Sequence, residues 1–133
     1  MNLNDPTLLR VDSYINGAWT KAAGDKRFAV TNPATGEIVA EVADLGASDV
    51  TAAIDAATPA QKEWAARTAK DRAMVMRKWY DLIMANADDL AIILTTEMGK
   101  PLAEARGEIV YGASFIDWFA EEARRVCGDV MES

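Results

Sequence analysis

Few residues in this 133-residue chain could act on a substrate, and their types narrow the chemistry at once. Cys127 is the only thiol, and there is no histidine. A nucleophilic cysteine needs a base or positive surroundings to lower its pKa. Arg124 and Arg125 are close in sequence, yet helical spacing puts Cys127 on an apolar stripe, where it reads as a small packed side chain. The missing imidazole removes Ser-His-Asp and Cys-His pairs, together with the commonest ligand for zinc, copper and iron. Asp88-Asp89 and Glu121-Glu122 are adjacent acids on expected helices. Neighbours on a helix point about 100° apart, so neither pair makes a carboxylate dyad, and both read as solvated faces.

Gly99-Lys100-Pro101, within TTEMGKPLAEARGEI (95–109), invites comparison with a phosphate loop. That loop needs several glycines ahead of the lysine and a Ser or Thr after it. Leu94 and Met98 are bulky, and Pro101 follows the lysine, so the comparison fails. GxGxxG, CxxC and HExxH are also absent. The expectation is that this chain carries no catalytic, cofactor-binding or metal-ligating residue of its own.

The elements that hold these residues follow from local signals. Asn16-Gly17, between Tyr14-Ile15 and Ala18-Trp19, predicts a type I′ hairpin. Phe28–Thr31 and Ile38–Val42 are β-prone around the turn residues Asn32–Gly36. From Gly46 the period becomes helical. Ser48 is a candidate N-cap, and Pro59 should end or kink that first helix. Thr68 to Asp71 resembles a capping box for a second helix, whose expected buried stripe is Val75, Trp79, Leu82 and Ile83. Asn86 and Asp89 suggest a third start, with Leu90, Ile93 and Leu94 facing inward. Gly99 then closes that helix in a left-handed turn, Pro101 opens the next, and Lys100 sits solvated at the apex.

The last helix is expected from about Pro101 to Cys127. Leu102, Ala105, Ile109, Gly112, Ile116, Ala120, Ala123 and Cys127 run down one face, while Tyr111, Phe115, Trp118 and Phe119 spread the apolar surface further. Such a helix belongs inside something, and the preceding segments do not cover it. The fold class is therefore α+β as an isolated segment: β-hairpins in residues 1–45, then four helices in residues 46–128.

Composition excludes whole classes of function. Half the residues are hydrophobic, so the chain is no disordered tail, and no apolar run approaches a membrane span. A net charge of −7 repels a phosphate backbone, so nucleic acid is not an expected partner. One cysteine and no visible leader make the cytoplasm the expected location.

Four stretches in order, YINGAW, VTNPATGEIVAEV, TTEMGKPLAEARGEI and ASFIDWFAEEARRVCGD, resemble the N-terminal segment of the aldehyde dehydrogenase superfamily. The last, with TAKDRAMVMRKWYDLI before it, looks closest to bacterial succinate-semialdehyde dehydrogenases. The resemblance covers residues 1–133 as one N-terminal segment of an α/β enzyme. It implies NAD(P)-dependent oxidation of an aldehyde to an acid, by cysteine attack, hydride transfer to nicotinamide and release through a glutamate-activated water. The family's catalytic cysteine, glutamate and asparagine and its nucleotide-binding motifs match no position here, so Cys127 is not the nucleophile. NAD or NADP would be bound by the full-length family and not by this segment alone. The expected partners are the remainder of the dehydrogenase chain or its subunits, in a homo-oligomer. Some family members hold a structural cation at positions matching Val30, Thr31 and Glu97. A second reading stays open on the sequence: a non-catalytic interaction module, or truncated gene product, that packs its apolar helix face on a partner subunit.

Overall fold

The hairpin signals fold as their residues require. Asn16 and Gly17 take φ of 50° and 80°, the two positive values of a type I′ turn. They join β1 (Ser13–Ile15) to β2 (Ala18–Thr20), which pair antiparallel with Tyr14 opposite Trp19. Those two rings stack at 5.2 Å, and the Arg10 guanidinium lies 4.8 Å over Trp19. A second antiparallel pair follows, β3 (Arg27–Thr31) with β4 (Ile38–Ala43), and its register shifts between Val30 and Thr31. The Asn32 side chain accepts from the Ala34 N–H at 2.9 Å, while its carbonyl accepts from the Gly36 N–H at 2.7 Å. Arg27 ties the two hairpins together, donating to Asp12 at 2.8 Å and Asp25 at 3.0 Å. The hydrogen bond from Arg27 holds the Asp25 carboxyl below the usual carboxylate range.

The computed structural model describes residues 1–128 and Met131. Four helices follow the strands: α1 (Ala47–Ala66), α2 (Ala69–Ala85), α3 (Ala87–Met98) and α4 (Leu102–Glu122). The fold is α+β with small open sheets. Packing concentrates in the helical layer, where α2 and α3 both lie against α4. Two helix starts behave as read: Thr68 Oγ1 accepts from the Asp71 N–H at 3.1 Å, and Asn86 is the cap residue of α3.

Several boundaries differ from the sequence expectation. Gly46, not Ser48, is the N-cap of α1, and its N–H donates to the Asp49 carboxylate at 2.9 Å. Pro59 does not end α1, which continues to Ala66. Residues 57–63 are all exposed, so water can satisfy the carbonyl that Pro59 leaves without a partner. Pro101 caps α4 from outside it, with Leu102 as the first helical residue. At its other end α4 stops at Glu122, short of the expected Cys127. Apolar spacing continues beyond that point, but Arg124 to Cys127 are exposed, so burial gives the helix no reason to continue.

A short 3-10 turn, Pro6–Leu8, sits at the start of the chain with Asp5 as its cap. Asp5 accepts from the Thr7 hydroxyl at 2.7 Å and the Thr7 N–H at 2.9 Å. These bonds, the hydroxyl's first, pull the Asp5 carboxyl below its ordinary value. A depressed carboxyl stabilises above its unfolded pKa and loses that effect as pH falls through the folded one. Protection of the Thr7 amide from exchange is thus expected to hold at neutral pH and fade below the ordinary aspartate range. Protection that stays constant through that acid window would refute the cap.

Candidate functional site

Every buried hydrophobic residue among those described is an alanine: Ala22, Ala73, Ala87, Ala91, Ala105, Ala113 and Ala120. The last three descend α4 with half-buried Ile109 and Ile116 between them, giving steps of four, four, three and four. Alanines at a helix contact allow close approach of the backbones. This seam, where α4 meets Ala73 on α2 and Ala91 on α3, is the core of the layer.

The large side chains face elsewhere. At about 100° per residue, Tyr111, Phe115 and Trp118 lie on the side of α4 opposite the alanine seam. Tyr111 is 65% exposed and Trp118 63%, and Phe119 beside them is exposed too. Tyr111 and Phe115 meet edge to face at 5.0 Å. Phe115, Trp118 and Phe119 line an open hollow of about 510 Å³ with Ser114 and Asp117. On α2 the expected stripe holds only at Ile83. Val75, Trp79 and Leu82 share a face but are exposed, and the inward positions are Ala73, Met76, Tyr80 and Ile83.

The magnitude of this exposure points to a missing partner. The accessible surface is 9624 Å². A compact 133-residue monomer would expose roughly 6,800 Å², so the excess is about 2,800 Å². Permanent interfaces bury roughly 2,000–5,000 Å² summed over both partners, roughly 1,000–2,500 Å² on each. The aromatic faces of α2 and α4 are therefore the candidate site, and what they can do is pack.

The chemically capable residues do not converge. Cys127 is free and exposed beyond α4, not on its apolar stripe. Lys100 is not the solvated apex expected: its side chain is 19% exposed and pairs with Glu108 one helix on. Asp88 is exposed and pairs with Arg106 at 2.7 Å. Asp89 overturns the reading of a solvated acidic pair. It is 4% exposed and accepts from the N–H of Asn4 and Asp5, a contact 84 and 85 residues away that no local signal announces. The Gly99 corner forms as read, with φ of 80° and its N–H on the Thr95 carbonyl at 2.8 Å.

Residues that could hold a cofactor or cation were tested on the same geometry. All four helix N-termini carry an acid in their first turn: Asp49, Asp71, Asp88 with Asp89, and Glu104. A pyrophosphate would meet negative charge where it needs free N–H groups. The described residues do not fit a dinucleotide. Val30 pairs with Ala40 and Thr31 with Ile38, while Glu97 is exposed in the last turn of α3. Close approach of Pro33 to Gly99 brings the β3–β4 loop to that end of α3. Among the described residues no three His, Cys, Asp or Glu side chains converge. A cation there would rest on backbone carbonyls and Glu97 alone.

Comparison with known proteins gives the arrangement its context. The profile of the aldehyde dehydrogenase family matches residues 19–133. The glutarate-semialdehyde dehydrogenase of Pseudomonas putida is 51% identical over 131 residues, 98% of this chain and 27% of that protein. The NADP(+) succinate-semialdehyde dehydrogenase of Escherichia coli is likewise 51% identical over 131 residues, with the same coverage. A crystal structure of succinate-semialdehyde dehydrogenase from Burkholderia pseudomallei superposes with a TM-score of 0.96 at 53% identity, covering 100% of this chain and 28% of that one. The chain thus spans about 27% of the length of the curated relatives it matches, and its fold corresponds to the N-terminal part of the solved enzymes. Motif order, the four-helix layer and these matches lead to one conclusion: the chain belongs to the aldehyde dehydrogenase family.

Proposed function

We propose that residues 1–133 are the N-terminal segment of an NAD(P)-dependent aldehyde dehydrogenase that oxidises succinate semialdehyde to succinate. The strand region (1–45) and helical region (46–128) serve as scaffold, and no catalytic, cofactor-binding or metal-ligating residue lies among them. NAD or NADP would be supplied with its site by the rest of such an enzyme. The observation that carries this reading is the 51% identity over 98% of the chain to an enzyme named for succinate semialdehyde. A homo-oligomer in the cytoplasm is part of the same proposal, supported by the large uncovered apolar surface. Among the described residues no helix is long and apolar enough to cross a membrane.

The segment's own work is positional: the alanine seam sets the spacing of α2, α3 and α4, and the outward aromatics meet what covers them. The test is a chimera in which this chain replaces the matching part of the Escherichia coli enzyme. It is expected to reduce NADP with succinate semialdehyde within about tenfold of the parent, and Cys127→Ser in the chimera should leave turnover unchanged. A folded chimera without turnover, or one silenced by Cys127→Ser, would overturn the assignment. The exposed faces favour one alternative, a non-catalytic module that packs on a partner subunit. That reading predicts stable binding of the isolated chain to a full-length dehydrogenase, which the scaffold reading does not require.

A further inference from the structure

We infer that residues 1–5 form a strap latched by Asp89, able to leave the side of α3 while the helical layer stays folded. Asp89 occupies the third position of α3, where a carboxylate ordinarily reaches back to the cap residue's N–H. Here that N–H, of Asn86, goes to the Ile83 carbonyl at 3.1 Å instead. The Asp89 carboxylate is committed elsewhere: it accepts from the Asn4 N–H at 3.0 Å, the Asn4 side-chain amide at 3.1 Å and the Asp5 N–H at 2.8 Å. Hydrogen bonds to an ionised acceptor are about twice as strong as neutral ones. Three of them on one nearly buried side chain make a built attachment.

The far end of the strap can be placed as well. Met1 lines a hollow of about 150 Å³ with Asn32, Glu37, Ile38, Val39 and Thr96. Thr96 lies two helical turns beyond Asp89, on the same side of α3 and about 10 Å along it. Three residues of extended chain, from Asn4 back to Met1, span about 10 Å. The lengths agree, so the strap runs along α3 and brings Met1 to the seam between that helix and the β3–β4 hairpin. Among the described residues, Met1–Asn4 take no backbone–backbone hydrogen bond. The next anchors come only at Val11, whose carbonyl accepts from the Ala43 N–H at 2.8 Å, and at Asp12 on Arg27. Asp89 is the side chain that hydrogen-bonds the strap to α3, and Met1 is still 55% exposed. The opening is therefore local and uncovers Ile38, Val39 and Thr96.

Amide exchange in the chimera with the Escherichia coli enzyme, where the apolar helix faces are covered, tests the latch. In Asp89→Asn the Asn4 and Asp5 amides are expected to exchange at least tenfold faster, with α2 and α4 amides changed less than twofold. Unchanged rates at Asn4 and Asp5 would overturn the latch, and equal loss across α2 and α4 would make Asp89 a core group. Should the variant not fold, the unmodified chimera in a denaturant series decides. Asn4 and Asp5 should open at lower denaturant than α2 and α4, and one shared opening would refute a separable strap.

Discussion

Replacing Gly99 with alanine is expected to lower stability by roughly 2–4 kcal/mol, the sum of a left-handed backbone penalty and a steric one. Gly99 has φ of 80°, a conformation that costs an L side chain roughly 1–2 kcal/mol. An added Cβ would also lie 2.8 Å from Cγ of Pro33, closer than such atoms come. The contact is long range, so the effect tests the docking of the β3–β4 loop and not the helix end alone. Urea melts of Gly99→Ala, Pro33→Ala and the double variant, each made in the chimera with the Escherichia coli enzyme, separate the two causes. Pro33→Ala should restore the steric part in the Gly99→Ala background and leave the backbone part. A Gly99→Ala melt that matches the parent would refute both terms, and additive effects would remove the Pro33 contact from the account.

The second large effect is on activity: purified as it stands, the chain is expected to show no aldehyde-dependent formation of reduced nicotinamide. Turnover of this kind needs a thiolate, a water-activating base and a dinucleotide platform. Cys127 lies exposed beyond α4, and every helix N-terminus already carries an acid. Association should accompany inactivity. Each large apolar side chain left in water forfeits roughly 1.5–3 kcal/mol of burial, against a total stability of about 5–15 kcal/mol for an ordinary domain. Trp79, Leu82, Tyr111, Phe115, Trp118 and Phe119 are all in that position. A helix-rich, loosely packed, self-associating species that binds hydrophobic dyes is the expected product. Trp118→Ser with Phe115→Ser should reduce both association and dye binding. Turnover by material free of full-length enzyme would sink the inactivity argument, and a sharp monomeric melt without dye binding would sink the packing one.

What could be read without coordinates were features whose causes lie within a few residues. Asn16-Gly17 makes its own turn, Thr68 caps with Asp71 three residues on, and Gly99 ends a helix because its missing Cβ permits φ of 80°. Family membership was legible for a related reason, since four ordered motifs are a property of the string itself. The stripe on α4 was nearly right as well, because Ala105, Ile109, Ile116 and Ala120 keep helical spacing toward one side.

Tertiary structure alone decided which of two apolar faces is buried. On α4 the larger side chains form one stripe and the alanines, with Ile109 and Ile116, another. On α2 Val75, Trp79 and Leu82 face outward, and Ala73, Met76, Tyr80 and Ile83 inward. Hydrophobicity alone does not choose between such faces. Close approach of three helices favours the smaller side chains, so Ala73, Ala113 and Ala120 went inside while Val75, Trp79 and Trp118 stayed out. The end of α4 was likewise outside the local signal, as apolar spacing reaches Cys127 but the helix stops at Glu122 and the residues from Arg124 to Cys127 are exposed. Asp89 was beyond any local reading: its partners Asn4 and Asp5 lie 84 and 85 residues away, and burying a carboxylate depends on donors that only the folded chain brings to it.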